Sequence, residues 1–320
     1  MTHMTRRTPL SLLAALVLSC ASLTAQAAPT FVNILTGGTS GVYYPIGVGL
    51  SQIYGQHIDG VKVSVQATKA SVENLNLLQN GRGELALALA DSVGDASHGV
   101  EEAGFKQPLD KLRAIASVHP NYIQIVASAQ SGITSLADLK GKRISVGAPK
   151  SGTELNARAI LAAAGMRYED MAQVQFLAYA ESVELIKNRQ LDATLQSSGL
   201  GMAAIRDLAA SVPIRFVPIP AEVVAAIGNP AYQAMAIPAG TYDGQDVAIP
   251  TVGISNILVS HSGVSEELAY QMTRLMFDNL PRLGSAHSAV NDIDVRHAAG
   301  NLPIELHPGA RRYYEEVGAL

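Results

Sequence analysis

The sequence predicts an α/β protein made of two lobes, each a mostly parallel sheet flanked by helices. Strand-length apolar runs alternate with helix-like segments along most of the chain, and loops rich in glycine or hydroxyl groups join them. This alternation is typical of parallel sheets that carry helices on their faces. The chain has 320 residues, which exceeds the usual size of a single hydrophobic core, so two lobes are expected.

The N-terminal segment, residues 1–28, has the pattern of a cleavable secretory signal peptide. Two arginines precede an apolar stretch at 10–18, and Ala25-Gln26-Ala27 fits a cleavage site. Cys20 leaves open the alternative of a lipoprotein anchor. No other apolar run reaches the ~18 residues that a membrane span needs. The mature protein is therefore expected in the periplasm, without a membrane span.

Composition argues against several classes of function. Cys20 is the only cysteine, so after cleavage no disulfide, cysteine–metal site or cysteine nucleophile is expected. The formal net charge of −4, the absence of Trp and the lack of a basic run argue against nucleic-acid binding. The histidines lack the spacing of metal ligands, so neither a metal nor a cofactor is expected.

The first glycine-rich loop has the chemistry of an anion site. Thr36-Gly37-Gly38-Thr39-Ser40-Gly41-Val42-Tyr43-Tyr44-Pro45 joins a strand, Phe31 to Leu35, to a helix whose first turn suits Pro45. Glycines let the backbone approach a ligand, and the helix N-terminus presents unpaired N–H groups and a partial positive charge. The loop therefore predicts a cradle for a carboxylate. The alternative is a structural turn in which Tyr43 packs in the core.

Two more strand–loop–helix units follow in the first half. The second unit has a strand at Val61 to Val65 and a helix at Val72 to Gln79, for which Ser71 is the expected N-cap. The third has the apolar strand Leu85 to Leu89, which ends at Asp91-Ser92. Ligands bind such sheets beyond the carboxyl ends of the strands, so the three loops are expected to line one rim.

The second half of the chain repeats this organisation. Strands are expected at 113–118, 123–127, 144–147, 174–177, 191–195 and 251–260, and helices at 154–164, 180–188, 202–210 and 264–280, with a further helix through Tyr313 and Tyr314. A hydroxyl-rich loop, Ala148 to Glu154, again joins a strand to a helix. The Pro-rich segment 213–250 carries no clear periodicity and is left unassigned.

Two strands are expected to cross between the lobes, at 122–128 and 251–260. These crossovers assign residues 29–126 and 255–320 to lobe I and residues 127–254 to lobe II. A lobe built from both ends of the chain around a central insertion is the venus-flytrap layout of periplasmic binding proteins, which close around a ligand by a hinge motion.

Six motifs also carry a resemblance to a known family. They are Thr36 to Pro45, Ala70-Ser71-Val72-Glu73-Asn74, Gly141 to Pro149, Ser151-Gly152-Thr153-Glu154, Ile237 to Tyr242, and Leu306 to Ala310 followed by Tyr313-Tyr314. On these motifs the chain resembles the TAXI group of solute receptors for TRAP transporters, which are similar to glutamate-binding proteins. The resemblance implies a type II periplasmic binding protein fold. It also implies a non-enzymatic receptor that delivers a small carboxylate, such as glutamate or 2-oxoglutarate, to a sodium-driven permease.

The sequence departs from that family at three places. Ala88-Leu89-Ala90-Asp91 keeps only the aspartate of the family's Val-Gln-Ser-Asp, and Thr194-Leu195-Gln196 stands where an aromatic pair is usual. Lys69 and Lys150 occupy positions where small residues are common. The two lysines favour a dicarboxylate or 2-oxoacid as the solute, with an acidic amino acid such as glutamate as the second choice.

The loops and the resemblance together predict a ligand-binding set. Its members are Gly38, Thr39, Ser40, Tyr43, Lys69, Ser71, Asp91, Ser92, Lys150, Ser151, Gly152, Thr153 and Gln196. Ser151, Gly152 and Thr153 are expected to hold a carboxylate at a helix N-terminus, although Thr153 could serve only as an N-cap. Lys69 and Lys150 would add charge-assisted bonds, unless they are simply solvated.

The remaining members have alternatives of their own. Asp91 and Ser92 would bind an amino group or an oxygen of the ligand, and Gln196 would either contact the ligand or bridge backbone groups. The whole set predicts a monomeric periplasmic receptor of a TRAP permease. Two rivals stay open: the same fold serving an ABC importer or a sensor kinase, and an exported hydrolase that uses Asp91 or Glu154. No G-x-S-x-G elbow and no paired base and nucleophile supports the hydrolase.

Overall fold

A computed structural model describes residues 29–320 of the chain. The predicted signal peptide, residues 1–28, and the lipoprotein alternative at Cys20 lie outside the described residues. Within residues 29–320 no helix is long and apolar enough to cross a membrane. The same residues contain no group of three or more His, Cys, Asp or Glu side chains arranged to hold a metal ion.

Strands and helices alternate through most of the described chain. The strands are β1 (Thr30–Leu35), β2 (Val61–Gln66), β3 (Leu85–Leu89), β4 (Leu112–Ser128), β5 (Arg143–Ser145), β6 (Gln173–Gln175), β7 (Ala193–Ser198), β8 (Ile214–Phe216), β9 (Gln233–Ile237) and β10 (Ile249–His261). The helices are α1 (Tyr43–His57), α2 (Ser71–Gln79), α3 (Ala90–His98), α4 (Gly152–Ala163), α5 (Tyr179–Lys187), α6 (Ala203–Ser211), α7 (Ala221–Ile227), α8 (Glu266–Asp278), α9 (Leu280–Ala286), α10 (Val295–Ala298) and α11 (Pro308–Glu316).

The strands form one connected sheet in the order β2-β1-β3-β10-β4-β7-β5-β6, with β8 beside β4 and β9 beside β10. At one end β1 pairs in parallel with both β2 and β3, and at the other β5 pairs in parallel with both β6 and β7. The two parallel groups are joined by β10 and β4, which run antiparallel to each other and to their other neighbours. The mostly parallel groups that the sequence predicts are therefore present, and two antiparallel strands connect them.

The connecting strands are longer than the sequence indicates. The sequence predicts separate strands at 113–118 and 123–127, with His119-Pro120-Asn121-Tyr122 between them. They instead form the single 17-residue strand β4. Pairing with β10 carries the strand past this point, through a register irregularity between Ser255 and Ile257. A proline is tolerated in a strand where the ladder is locally irregular.

Buried apolar side chains form two clusters. The first core contains the fully buried residues Tyr54, Phe105 and Tyr314 and surrounds β1, β2 and β3. The second core contains residues of β5, of α4 and of the segment that holds β8, α7 and β9. Leu89, the last residue of β3, belongs to the second core. The two cores therefore touch at the carboxyl end of β3.

The Pro-rich segment 213–250, which has no clear sequence pattern, holds β8, α7 and β9. Its strands pair with β4 and β10, so tertiary contacts decide their conformation. The first core also contains residues of α5 and α6, which lie within 127–254. The boundaries that assign 127–254 to lobe II stay a prediction.

Candidate functional site

A cavity that is partly open to solvent lies where the two cores meet. It is lined by Gly37, Gly38, Gly41, Val42, Tyr43, Thr68, Lys69, Ala70, Ser71, Leu89, Asn121, Ala148, Ser151, Gly152, Thr153, Ala178, Tyr179, Ser197 and Ser198. The glycine-rich loop before α1 and the hydroxyl-rich loop before α4 thus line the same cavity, although more than 100 residues separate them in the sequence.

Four helices begin at this cavity. The first residues of α1, α2, α4 and α5 are Tyr43, Ser71, Gly152 and Tyr179, and all four line the cavity. The N–H groups of a helix's first turn have no partner within the helix, and the aligned peptide dipoles make that end partially positive. Several such ends around one cavity favour an anionic occupant.

The N-terminus of α4 has backbone N–H groups that could bind such an anion. Ser151 is its N-cap, since its Oγ accepts a hydrogen bond from the N–H of Glu154 at 3.2 Å. Within the described chain, the N–H groups of Gly152 and Thr153 donate no hydrogen bond. Thr153 is therefore not the N-cap. Its Oγ1 lies 2.6 Å from the hydroxyl of Tyr179.

Gly152 allows the closest approach between the two cores. A Cβ atom at this position would stand 2.6 Å from Leu89 Cδ1 and 2.7 Å from Ser71 Oγ. Both distances are shorter than any van der Waals contact of carbon, so a larger residue would push α4 away from β3 and α2. The glycine thus keeps the N-terminus of α4 directly beside that of α2.

Ser71 has a different role from the one expected. Ala70, with φ of 71° and ψ of −146°, occupies the N-cap position of α2 and makes no side-chain capping bond. The Oγ of Ser71 accepts a hydrogen bond from the N–H of Leu89 at 3.1 Å. Ser71 therefore ties the start of α2 to the end of β3, and it lines the cavity from there.

Asn74 holds the strand ends below the cavity in place. Its Nδ2 donates to the carbonyl oxygens of Thr36 at 2.7 Å and Leu87 at 2.9 Å, and its Oδ1 accepts from Thr68 Oγ1 at 2.6 Å. Asn74 is fully buried. It therefore fixes the loops after β1 and β2 relative to each other and to strand β3.

Tyr43 connects the cavity to the sheet beneath it. The Tyr43 hydroxyl donates to Asn256 Oδ1, and Asn256 Nδ2 donates to Asn121 Oδ1 at 2.8 Å. Asn121 Nδ2 in turn donates to the carbonyl oxygen of Ser197 at 2.9 Å. Burial raises the pKa of the Tyr43 hydroxyl well above its usual value, so the group keeps its proton. This chain of bonds runs from α1 through β10 and β4 to β7.

Some of the predicted residues lie away from the cavity lining. Thr39 is exposed and Ser40 half-buried in the first loop, while Lys150 is exposed with a left-handed φ of 61°. Gln196 is fully buried in β7, 3.4 Å from Thr194 Oγ1. Of β7, only Ser197 and Ser198, its last two residues, line the cavity.

Asp91 and Ser92 are also absent from the lining. Asp91 is buried, and its carboxylate accepts hydrogen bonds from Tyr232, Asn156 and the N–H of Ser92. Ser92 is fully buried beside it. Both residues follow β3 as expected, but α3 begins immediately after the strand and carries them away from the cavity.

Sequence reasoning missed several lining residues. Ser197 and Ser198 end a strand that was recognised, and the run Ser197-Ser198-Gly199 before a helix was the available signal. Thr68 belongs to a loop that was recognised as facing the rim. Asn121 and Tyr179 carried no local signal, because the long strand β4 and the packing of α5 bring them to the cavity.

Within residues 29–320, the lining of the cavity carries one positive side chain and no carboxylate. Lys69 is the one ionised side chain among the lining residues of the described chain, and no Asp or Glu belongs to them. The other polar groups are hydroxyls, the amide of Asn121 and backbone N–H groups. This surface stabilises negative charge and offers no carboxylate to a cationic group.

This architecture is similar to that of several solved structures. A periplasmic transporter structure matches with a TM-score of 0.58 and 11% identity, covering 90% of this chain and 94% of that one. A protein from Bordetella bronchiseptica RB50 matches with a TM-score of 0.51 and 17% identity, covering 91% and 81%. With the sheet described above, these likenesses confirm the predicted α/β fold of the periplasmic binding protein kind.

The alkanesulfonate-binding protein SsuA from Xanthomonas axonopodis pv. citri, bound to MOPS, matches with a TM-score of 0.49 and 16% identity, covering 90% of this chain and 84% of that one. That likeness is too loose to carry an argument about the site. The family model gives a stronger result, because it matches residues 34–318, from β1 to the end of α11. This match is coarser than the predicted TAXI group. The chain belongs to the NMT1-like family.

Proposed function

We propose that this protein is a periplasmic solute-binding protein that captures a small organic anion in the cavity between its two cores. The observation that carries the proposal is the convergence of four helix N-termini, those of α1, α2, α4 and α5, on a cavity whose one ionised side chain is Lys69. Such an arrangement binds a carboxylate through backbone N–H groups and hydroxyls. Bond-breaking chemistry plays no part in this function.

The free N–H groups of Gly152 and Thr153 are the proposed site for one carboxylate of the solute. The hydroxyls of Ser151 and Thr153 stand beside them, and Lys69, an exposed side chain that also lines the cavity, is the proposed partner of a second carboxylate. Water excluded from the cavity would no longer compete for these bonds, which strengthens each of them.

The charge of the cavity lining determines which class of solute we propose. A dicarboxylate or 2-oxoacid needs only hydrogen-bond donors and positive charge, and the lining supplies both. An acidic amino acid such as glutamate also carries an ammonium group, for which the lining offers hydroxyl and carbonyl oxygens but no carboxylate. An unpaired buried charge is costly, so we place 2-oxoacids and dicarboxylates first and glutamate second.

The partner we propose is a TRAP permease of the TAXI type, on the six motifs that carry the sequence resemblance. The solute would bind while the cores are apart and would favour the closed arrangement by its additional contacts there. The permease would then recognise the closed form. The alternative partner is an ABC importer, and the transport experiment below distinguishes it from a TRAP permease.

A thermal-shift screen tests the binding function. The purified protein is heated with a panel of 2-oxoacids, dicarboxylates, sulfonates and amino acids. A ligand that binds only the folded state raises the melting temperature. The proposal predicts that 2-oxoacids or dicarboxylates give the largest rise. A panel in which only cationic or neutral compounds raise the melting temperature would overturn it.

Uptake into vesicles tests the partner. Membrane vesicles are prepared with a permease whose gene lies next to the gene for this protein. They are mixed with the protein and with the radiolabelled acid that gave the largest thermal shift. A TRAP permease would accumulate the acid when a sodium gradient is imposed, without ATP. Uptake that needs ATP and ignores sodium would identify an ABC importer instead.

A further inference from the structure

Two hydroxyl groups of the cavity wall belong to a short hydrogen-bond relay. Thr153 Oγ1 lies 2.6 Å from the hydroxyl oxygen of Tyr179, and that oxygen lies 2.7 Å from the carbonyl oxygen of Ser197. The same hydroxyl accepts a bond from the N–H of Ser197 at 3.2 Å. Thr153, Tyr179 and Ser197 all line the cavity. The relay is therefore part of the wall that a solute would meet.

The position of each proton in the relay follows from the chemistry of the groups. Two oxygen atoms 2.6 or 2.7 Å apart need a proton between them, because their lone pairs would otherwise face each other. A carbonyl oxygen carries no proton, so the Tyr179 hydroxyl must donate to Ser197. Tyr179 has only this one proton, so Thr153 must donate to Tyr179. Thr153 Oγ1 is left with lone pairs alone.

The proton of the Tyr43 hydroxyl is committed in the same way. Asn256 Nδ2 lies 2.8 Å from the carbonyl oxygen of His119, which can only accept. The amide nitrogen must therefore face His119, and Asn256 Oδ1 must accept from Tyr43. Neither Tyr43 nor Thr153 has a hydroxyl proton left for a solute. These two lining residues present hydrogen-bond acceptors to the cavity, although the sequence reads as rich in donors.

A further polar atom at this wall lacks a partner. The Oγ of Ser197 is buried and makes no hydrogen bond in the described chain. Ser197 and Thr153 are each 5% exposed, so bulk water reaches neither side chain freely. Buried polar groups in folded proteins are nearly always paired, and an unpaired one in a cavity wall points to a ligand. A polar group of the solute at this wall would supply the missing partner.

This wall distinguishes acids that the lining charge alone treats alike. The N–H and the Oγ1 of Thr153 belong to one residue, so a carboxylate bound by the N–H places its neighbouring carbon within reach of Oγ1. An oxo oxygen on that carbon would set lone pairs against lone pairs, whereas a hydroxyl group would donate a hydrogen bond. An ammonium group also donates, but among the described residues the lining holds no carboxylate to balance its charge.

We propose that Thr153 determines the specificity of the site and that the solute is a 2-hydroxy dicarboxylate, whose hydroxyl group donates to Thr153 Oγ1. The proposal rests on the proposed function, because it concerns the same cavity and the same carboxylate. It narrows the class of acids named there to those with a hydroxyl group beside the bound carboxylate. Tyr179 is a positioning residue: its hydroxyl already donates one bond and accepts two, and so makes none to the solute.

Calorimetric titrations with acids of matched length measure this selection. One series is 2-hydroxyglutarate in both enantiomers, 2-oxoglutarate, glutarate and glutamate, and the other is malate in both enantiomers, oxaloacetate, succinate and aspartate. In the wild type we expect one enantiomer of the 2-hydroxy acid to bind about tenfold or more tightly than the 2-oxo acid of the same length. The difference corresponds to one hydrogen bond replaced by a repulsive contact.

Variants of the relay test the role of the proton. Thr153→Val keeps the shape of the side chain and removes the acceptor, so the ratio of the two affinities should fall to about one. Thr153→Ser keeps the hydroxyl and should keep the ratio. Tyr179→Phe releases the Thr153 proton, which then donates to an oxo oxygen, so the 2-oxo acid should gain relative to the 2-hydroxy acid. If Thr153→Val does not fold or binds no acid, Tyr179→Phe decides.

Thr273→Val is the matched control. The buried Thr273 hydroxyl donates to the carbonyl oxygen of Ala269 at 2.7 Å within α8, and Thr273 does not line the cavity. Its loss should lower stability as the loss of the Thr153 hydroxyl does, because each removes one buried hydrogen bond. The ratio of affinities for the 2-hydroxy and 2-oxo acids should stay at the wild-type value.

The outcomes separate this proposal from the proposed function. If the acids bind, but the 2-oxo or 2-amino acid binds as tightly as the 2-hydroxy acid of the same length, the proposal fails and the binding function stands. A wild-type ratio that persists in Thr153→Val and in Tyr179→Phe would also overturn it. If no acid of either series binds, the binding function fails and the proposal fails with it.

Discussion

Gly152, the first residue of α4, lies so close to Ser71, the first residue of α2, that a Cβ atom on Gly152 would stand 2.7 Å from Ser71 Oγ. This contact brings together two loops that the sequence analysis singled out independently. It also brings two helix N-termini to the same cavity. Two partially positive ends side by side are unfavourable by themselves, and an anion between them removes that cost.

Gly152→Ala should weaken solute binding without unfolding the protein. The added methyl group would collide with Ser71 Oγ and Leu89 Cδ1, so α4 would have to move away from the cavity. We expect a loss of affinity of about tenfold or more, beside the ~1–3 kcal/mol of unfolding free energy that overpacking costs. Isothermal titration calorimetry with the best acid from the thermal-shift screen measures it.

Gly55→Ala is the matched control for that variant. Gly55 lies in α1 with no atom within 4 Å of the added Cβ. Alanine in a helix interior is about 1 kcal/mol more favourable than glycine. The control should therefore melt at a higher temperature and bind as the wild type does. Equal affinities of Gly152→Ala and Gly55→Ala would contradict the role given to the contact.

Ser151→Ala should lower both stability and affinity. The N-cap bond from Glu154 N–H to Ser151 Oγ disappears, which costs about 1 kcal/mol of unfolding free energy. The proposed carboxylate site loses a neighbouring hydroxyl at the same time. Urea unfolding and calorimetry measure the two effects separately.

Ser265→Ala separates the two effects of Ser151→Ala. Ser265 caps α8 in the same way, accepting from the N–H of Leu268 at 3.3 Å, and does not line the cavity. It should lose a similar unfolding free energy and keep its affinity for the acid. If both variants kept wild-type affinity, Ser151 would be a structural cap and nothing more.

Lys69→Gln should weaken the binding of a dicarboxylate by about tenfold, because a charge-assisted bond becomes a neutral one. Lys150→Gln is the comparison. Both lysines are exposed, but only Lys69 lines the cavity. Titrations of both variants at low and high salt should show a loss of affinity and of salt dependence for Lys69→Gln alone. A larger effect of Lys150→Gln would place the second carboxylate elsewhere.

Asn74→Ala should be strongly destabilising. It removes three buried hydrogen bonds, two to the carbonyl oxygens of Thr36 and Leu87 and one from the hydroxyl of Thr68, while the bond from the Thr68 hydroxyl to the Thr36 oxygen remains. A buried hydrogen bond contributes about 1 kcal/mol, so a loss of ~3 kcal/mol of unfolding free energy is expected. Asn80→Ala removes one exposed bond, to Asn76, and should cost less than ~1 kcal/mol. Similar melting temperatures for the two variants would contradict this account.

The sequence predicts the elements whose own residues determine them. The run Leu85 to Leu89 forms β3 with the predicted bounds, because its continuous apolar pattern fits a strand buried on both faces. The loops before α1 and α4 were recognisable from glycine and hydroxyl content, and both line the cavity. Local chemistry was sufficient in these cases.

The parts that the sequence does not predict depend on partners distant in the chain. Residues 113–118 and 123–127 form one strand because β10 pairs along it, which no local pattern signals. Asp91 follows the expected strand, yet Asn156 and Tyr232, from a helix and a segment far along the chain, bind it away from the cavity. Tyr179 reaches the cavity only because of the packing of α5.

The central claim is that a carboxylate of the solute is bound by the N-terminus of α4 inside the cavity. A crystal structure of the complex with the acid that gives the largest thermal shift tests it most directly. The account predicts carboxylate oxygens at hydrogen-bond distance, about 3 Å, from the backbone nitrogens of Gly152 and Thr153, with Ser71 and Tyr43 on the facing wall. Density for the acid outside this cavity, or with its carboxylates turned away from α4, would contradict the claim.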